Sequence, residues 1–262
     1  MQNETVLTAF LAYREELAAN LRKHSEVLGL IFVGSAADTS RVDQWSDHDF
    51  FVVTTEGTAE GFRADLSWLP NHQEIVIRTR ETAHGLKVIY RSGQVLEFAI
   101  FNDSELELAG ANAYAVFIDG ANIETRMAAI AERSKPAVFE SAKEFELLLA
   151  HLLIGVGRYR RGEVLIAGQQ IRSYALNHVL GLLRHATPPA SGTETAEDNL
   201  NRFRRFERQY PQLAVEIENA LQSNVEACAV ALLSLVLGQL GSTITDQQLQ
   251  QVEVVKRRLN WS

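Results

Sequence analysis

Two apolar runs, joined through a small-residue turn and a pair of carboxylates, constrain this chain more than any other feature. The first run, Ile31-Phe32-Val33, ends in Gly34-Ser35-Ala36-Ala37. A polar loop follows, and the second run opens as Asp47-His48-Asp49-Phe50-Phe51-Val52-Val53. Short apolar runs bounded by turn residues read as strands. Side chains alternate along a strand, so Asp47 and Asp49 point to one face and His48 to the other. Two carboxylates on one face repel each other unless a cation lies between them. Mg²⁺ suits the position because it is hard, prefers oxygen ligands and is often held by one or two carboxylates plus phosphates. Gly34 lets a backbone come close to a phosphate, and a turn there presents N–H donors. Ser35 adds a hydroxyl. An ordinary strand-to-turn junction uses the same two residues, so their weight comes from the acids downstream.

A further acid interrupts the run Gln94-Val95-Leu96-Glu97-Phe98-Ala99-Ile100-Phe101. A charge among such neighbours is costly unless a cation or partner compensates it, or unless the strand is an exposed edge. His48 reads as a packing or surface residue, and Ser46 as a support for the loop before the second strand.

The rest of the chain sets the frame. Residues 4–27 carry helical periodicity, and strands are expected at 28–33, 49–53, 74–79, 86–90, 95–101 and 114–118. Thr58 reads as the cap of a helix running to about residue 69, before Pro70. Asp119-Gly120 closes the last strand as a turn. From about Ile123 strand signals vanish. Helices are expected at 139–160, 163–185, 199–209, 212–240 and 245–259, with Pro136 marking the change and 186–193 as a loop. Strands first and helices later give an α+β plan: a mixed-sheet domain over 1–125 and a helical bundle over 126–262.

Composition narrows the function classes. The net charge of −8 over 262 residues disfavours a protein whose main task is gripping nucleic acid. The single cysteine, Cys228, lies in an apolar helical run and reads as a buried thiol, with no disulfide framework. The N-terminus has no signal-like core, and the longest apolar stretch, 227–240, is short for a membrane span. A cytoplasmic protein without a membrane segment is therefore expected.

The apolar strand, Gly34-Ser35, the loop and Asp47-x-Asp49 leading into a second strand together resemble the nucleotidyltransferase superfamily that includes DNA polymerase β and the antibiotic adenylyltransferases. The resemblance is specific over about residues 28–125 and looser over the helical half. It implies a catalytic sheet domain followed by a helical substrate-binding domain. It also implies a third carboxylate at Glu97, on a strand beside the Asp-x-Asp strand. Asp47, Asp49 and Glu97 would then hold two Mg²⁺ ions, with Gly34 and Ser35 at the triphosphate of an NTP, ATP being the expected donor. The implied reaction moves a nucleoside monophosphate to a hydroxyl of a small molecule, aminoglycoside- or lincosamide-like, and releases pyrophosphate. Related enzymes often carry Arg or another polar residue soon after the Ser. Ala36-Ala37 stand there in this chain, which leaves the basic contact to the triphosphate unassigned.

Two features of the helical half allow double readings. Glu163, after Arg161-Gly162, matches the position from which some relatives supply a general base, although a helix N-terminus favours a carboxylate through its dipole alone. Arg202-Phe203-Arg204-Arg205-Phe206-Glu207 resembles a segment of related transferases. It reads either as a contact to triphosphate or a neighbouring acid, or as a solvated basic helix face. Three function classes follow: a transferase acting on a small molecule, a non-catalytic nucleotide- or partner-binding protein that keeps the fold, and a transferase with an RNA or protein acceptor.

Overall fold

The structure, a computed structural model, describes residues 2–135, 138–193, 198 and 200–261. The chain divides into two compact units, 1–135 and 136–262.

The first unit is a six-stranded mixed sheet covered on both faces. Its strands are β1 (Val27–Val33), β2 (His48–Thr54), β3 (Ile75–Arg80), β4 (Gly85–Tyr90), β5 (Val95–Asn102) and β6 (Tyr114–Asp119), in the order β3-β4-β5-β2-β1-β6. β2 and β5 are parallel, whereas the other neighbours are antiparallel. Alternation sends Phe50, Val52, Leu96, Phe98 and Ile100 into a core with Phe10, Leu17 and Leu21 of the helix α1 (Gln2–Leu21). The opposite face packs Ile31, Val53 and Phe101 against Ile123, Met127 and Ile130 of the helix α3 (Ile123–Arg133). These three residues recur at helical spacing on one face. They carry the first unit across position 125, so the boundary expected at 125/126 falls inside a helix of the sheet unit.

Several expected elements are shorter than their periodicity suggests. The first helix ends at Leu21, not near residue 27. The helix expected over 58–69 is only α2 (Ala59–Ala64). Its start is capped from outside: the Asn102 side chain accepts from Gly57 N–H and Ala59 N–H. Its end is turned by Asp65, whose carboxylate accepts from both the backbone and the hydroxyl of Ser67. That turn aims Leu66, Trp68 and Leu69 into the core.

The second unit is helical. It comprises α4 (Ser141–Arg160), α5 (Val164–Gln169), a π-helical segment over Gln170–Ala175, α6 (Leu176–Ala186), α7 (Phe206–Gln209), α8 (Pro211–Gln222), α9 (Val225–Leu240) and α10 (Asp246–Leu259). The helix expected at 163–185 is thus interrupted by a π turn. The one expected at 212–240 is two helices, because Asn224 accepts from Ala227 N–H and starts a new one. Asn199, where another helix was expected to begin, and Pro136 lie outside the described residues. What is described of 199–209 is helical only over Phe206–Gln209.

Residues Val225–Thr243 are long and apolar enough to cross a membrane by length and composition, contrary to the expectation from 227–240. Cys228, Leu232, Leu233 and Val236 of this stretch lie at the centre of the second core with Leu148, Leu152, Val179 and Leu183.

Candidate active site

Register builds the site. In the parallel pair β2–β5, Asp49 lies opposite Glu97. Neighbouring strands run about 4.8 Å apart, so two side chains at one level on one face are brought together. Asp47, two positions before Asp49, lies on that face as well. One carboxylate oxygen from each of Asp47, Asp49 and Glu97 falls within 4.8 Å of the other two. All three residues are partly exposed. They continue the face that Phe51, Val53, Ala99 and Phe101 present to the α3 core. A slip of one residue in β5 would put Leu96 or Phe98 at this point and bury Glu97.

The turn after β1 completes the surroundings of Asp49. Gly34 has φ +61°, and a Cβ built there would sit 2.9 Å from Asp49 Oδ2. The position therefore demands glycine twice, for its left-handed backbone and for its contact with a catalytic candidate. Residues Gly34–Ala36 form one 3-10 turn and Thr39–Arg41 another. Ser35 lies in the first.

Two cations that the sequence reading missed stand at this site. Arg41 donates from Nη2 to Gly34 O at 3.1 Å and from Nε to Asp38 Oδ2 at 2.8 Å. It brings a guanidinium to the turn, where Ala36-Ala37 supply no basic group. Lys87 on β4 lies opposite Glu97 in the antiparallel register, with Nζ 3.1 Å from Glu97 Oε1 and 3.1 Å from Glu81 Oε1. Hydrogen bonds to Glu97 and then Glu81 push the Lys87 ammonium above its ordinary pKa. Part of the signal for Lys87 was available: Leu86, Val88 and Tyr90 recur at every second position, which puts Lys87 on the other face of its strand, and the register then sets it opposite Glu97. Trp45 is a third addition, 84% exposed in the loop just before Asp47. Asp43 organises that loop, accepting from Trp45 N–H, while Ser46 Oγ accepts from Asp43 N–H. Ser46 thus takes the supporting position expected of it.

His48 faces away from the acids. It is buried, stacks on Phe10 with centroids 3.8 Å apart, and lies 3.3 Å through Nε2 from Phe10 O. Burial pushes its pKa down from 6.5 to about 4. The unfolded chain therefore binds the proton first, and stability falls as pH drops from about 6.5 toward 4. At pH 5 this amounts to about 2 kcal/mol. Urea unfolding at pH 7 and pH 5 should show that loss in the wild type and a smaller one in His48→Leu. An equal loss in both would remove His48 from the account.

Glu163 belongs to the second unit, where Arg158 reaches its Oε2 at 2.7 Å and Arg161 its Oε1 at 3.2 Å. Both oxygens are engaged, as its position at the start of α5 would favour on structural grounds alone. Of the arginines of 202–205, Arg204 is exposed to solvent, whereas Arg202 and Arg205 meet neighbouring acids. Arg202 binds Glu144 through two bonds of 2.8 and 2.9 Å, and Arg205 binds the buried Asp198 at 3.1 Å. Asp119-Gly120 closes β6 as expected: Gly120 N–H donates to Leu28 O at 2.7 Å.

No known family profile matches the chain, and no curated protein matches it. Solved structures similar to it include an aminoglycoside 6-adenyltransferase from Bacillus subtilis, at 11% identity, 93% of this chain and 96% of that one, and TM-score 0.36. CdnC of E. coli MS115-1 with ATP is similar at 15% identity, 100% and 93% coverage, and TM-score 0.34. A nucleotidyltransferase-like protein from Exiguobacterium sibiricum is similar at 15% identity, 97% and 88% coverage, and TM-score 0.32. At these scores the likenesses carry no functional weight of their own, which falls on the carboxylates and their neighbours.

Proposed function

We propose that the chain is a metal-dependent nucleotidyltransferase of the cytoplasm. It would move a nucleoside monophosphate, from ATP as the expected donor, to a hydroxyl of a small molecule such as an aminoglycoside- or lincosamide-like compound, releasing pyrophosphate. The observation that carries this is the convergence of Asp47, Asp49 and Glu97 beside the glycine turn. The donor set is all carboxylate, without nitrogen or sulfur, which suits Mg²⁺ rather than a softer ion. These three residues would hold the metal, as two ions in the arrangement expected for this chemistry. Bound there, Mg²⁺ supplies charge neutralisation to the phosphoryl oxygens.

The chain's own residues do the remaining work. The turn at Gly34-Ser35 admits phosphate close to the backbone and offers N–H and hydroxyl donors. Arg41, braced by Asp38, places a guanidinium at that turn, the group best suited to phosphate oxygens. Lys87 holds the Glu97 carboxylate in place. The exposed Trp45 offers a ring face on which a base can stack. Both oxygens of Glu163 are occupied by arginines, and we give it no step.

One observation favours a second class. Lys87 already balances part of the charge of the acid cluster, as it would in a non-catalytic protein that kept the fold. Calorimetric titration of ATP and GTP, with Mg²⁺ and with EDTA, separates the two. The transferase predicts binding that requires the metal. Absence of binding for both nucleotides would sink it in favour of the non-catalytic class.

A further inference from the structure

The second unit contains a cavity of its own, about 560 Å³, lined by His151, Ser173, Tyr174, Asn177, His178 and Phe203. Its size falls within the roughly 300–1,000 Å³ typical of small-molecule sites. Ser173 and Tyr174 belong to the π-helical segment Gln170–Ala175. π turns are rare and concentrate at functional sites.

Hydrogen bonds fix what the two imidazoles can offer. His178 Nδ1 lies 2.7 Å from Glu144 Oε2, and His151 Nδ1 lies 2.7 Å from Gln170 Oε1. Both oxygens are acceptors, so each Nδ1 carries a proton, and in its uncharged form each ring then offers a lone pair on Nε2. The rings stack, with centroids 5.4 Å apart and planes 16° from parallel. Arg202 already meets the charge of Glu144 through its two bonds. Among the described residues, none of those lining the cavity is Asp, Glu, Lys or Arg. Tyr174 and Phe203 are 43% and 40% exposed, and the Tyr174 ring lies 5.6 Å from that of His151.

We propose that this cavity binds a neutral, polyhydroxylated ring compound of the sugar class. Its hydroxyl protons match the two Nε2 acceptors, Asn177 and Ser173 pair with further hydroxyls, and its C–H face lies on the rings of Tyr174 and Phe203. Among the described residues, the charges bonded to the lining, Glu144 on His178 and Arg202 on the Asn177 carbonyl, are paired with each other, so neither a polycation nor a phosphate finds an unpaired counter-charge there. The role of the compound as acceptor rests on the transferase proposed above, whose acceptor it would narrow from an amine-bearing antibiotic to an uncharged sugar, but its binding does not.

The test is saturation-transfer NMR on the full chain in EDTA, with three probes: methyl α-glucopyranoside, an aminoglycoside and AMP. Saturation should reach the glycoside, and its C–H protons most strongly. It should fall about fivefold in Tyr174→Ala, which removes a ring contact worth about 1 kcal/mol, and in His151→Phe, which keeps a ring but loses the acceptor. Thermal melts check that both variants fold. Asp49→Asn should bind the glycoside like the wild type, so failure of the nucleotide site leaves this result intact, and the reverse holds. No saturation of the glycoside, equal saturation in folded variants, or stronger saturation of the aminoglycoside or AMP would each overturn the proposal.

Discussion

Asp49→Asn is expected to abolish metal-dependent ATP binding and nucleotidyl transfer while leaving the fold intact. Asp49 stands between the other parts of the site: its strand partner across β5 is Glu97, and its carboxylate faces Gly34. Asparagine keeps the shape and removes the charge, and its amide is a poor ligand for a hard dication. A metal supplies several kcal/mol of charge stabilisation to phosphoryl chemistry. At about 1.4 kcal/mol per decade, losing that contribution weakens binding or rate on the order of 10²- to 10³-fold. Stability should move the other way in EDTA, because one of three carboxylates within 4.8 Å of one another is neutralised. Calorimetry with Mg²⁺ gives the affinity, and thermal melting in EDTA gives the stability. A variant that binds ATP with wild-type, Mg²⁺-dependent affinity would remove the acids from the assignment.

The two parts of this site were legible in the sequence to different degrees, for a physical reason. Asp47, Asp49 and Glu97 stand out because carboxylates beside or within apolar strands conflict with their neighbours. The period of two then fixes the face each one takes. Strand pairing is a different matter. Nothing local dictates that β5 lies parallel to β2 with Asp49 opposite Glu97, or that β4 brings Lys87 to the same level. Arg41 was hidden because its position depends on two consecutive 3-10 turns, which leave no periodic trace. Helices in both units were misread where a side chain overrides periodicity. Asn224 splits one expected helix by capping the next, and Asn102 caps α2 from a distant strand. Contacts of that second kind join residues far apart in the chain, so no window of sequence contains them.

Gly34→Ala separates the site from the fold. At φ +61° an alanine pays the left-handed penalty of about 1–2 kcal/mol. Its methyl group would also lie 2.9 Å from Asp49 Oδ2. The obstructing atom is the end of a short side chain, so relief comes when the Asp49 carboxylate turns away, and that displaces it from Asp47 and Glu97. The stability loss should therefore be modest, a few degrees in Tm, and the functional loss larger. Metal-dependent ATP affinity should fall about tenfold or more, equivalent to at least about 1.4 kcal/mol. Gly93→Ala supplies the control. Gly93 has φ +89° with nothing within 4 Å of its built Cβ, so it carries backbone strain without the collision. The two variants should lose comparable stability, and only Gly34→Ala should lose ATP binding. Equal ATP affinity in both would mean that the turn serves the fold alone, and the triphosphate contact would have to be sought elsewhere on the sheet.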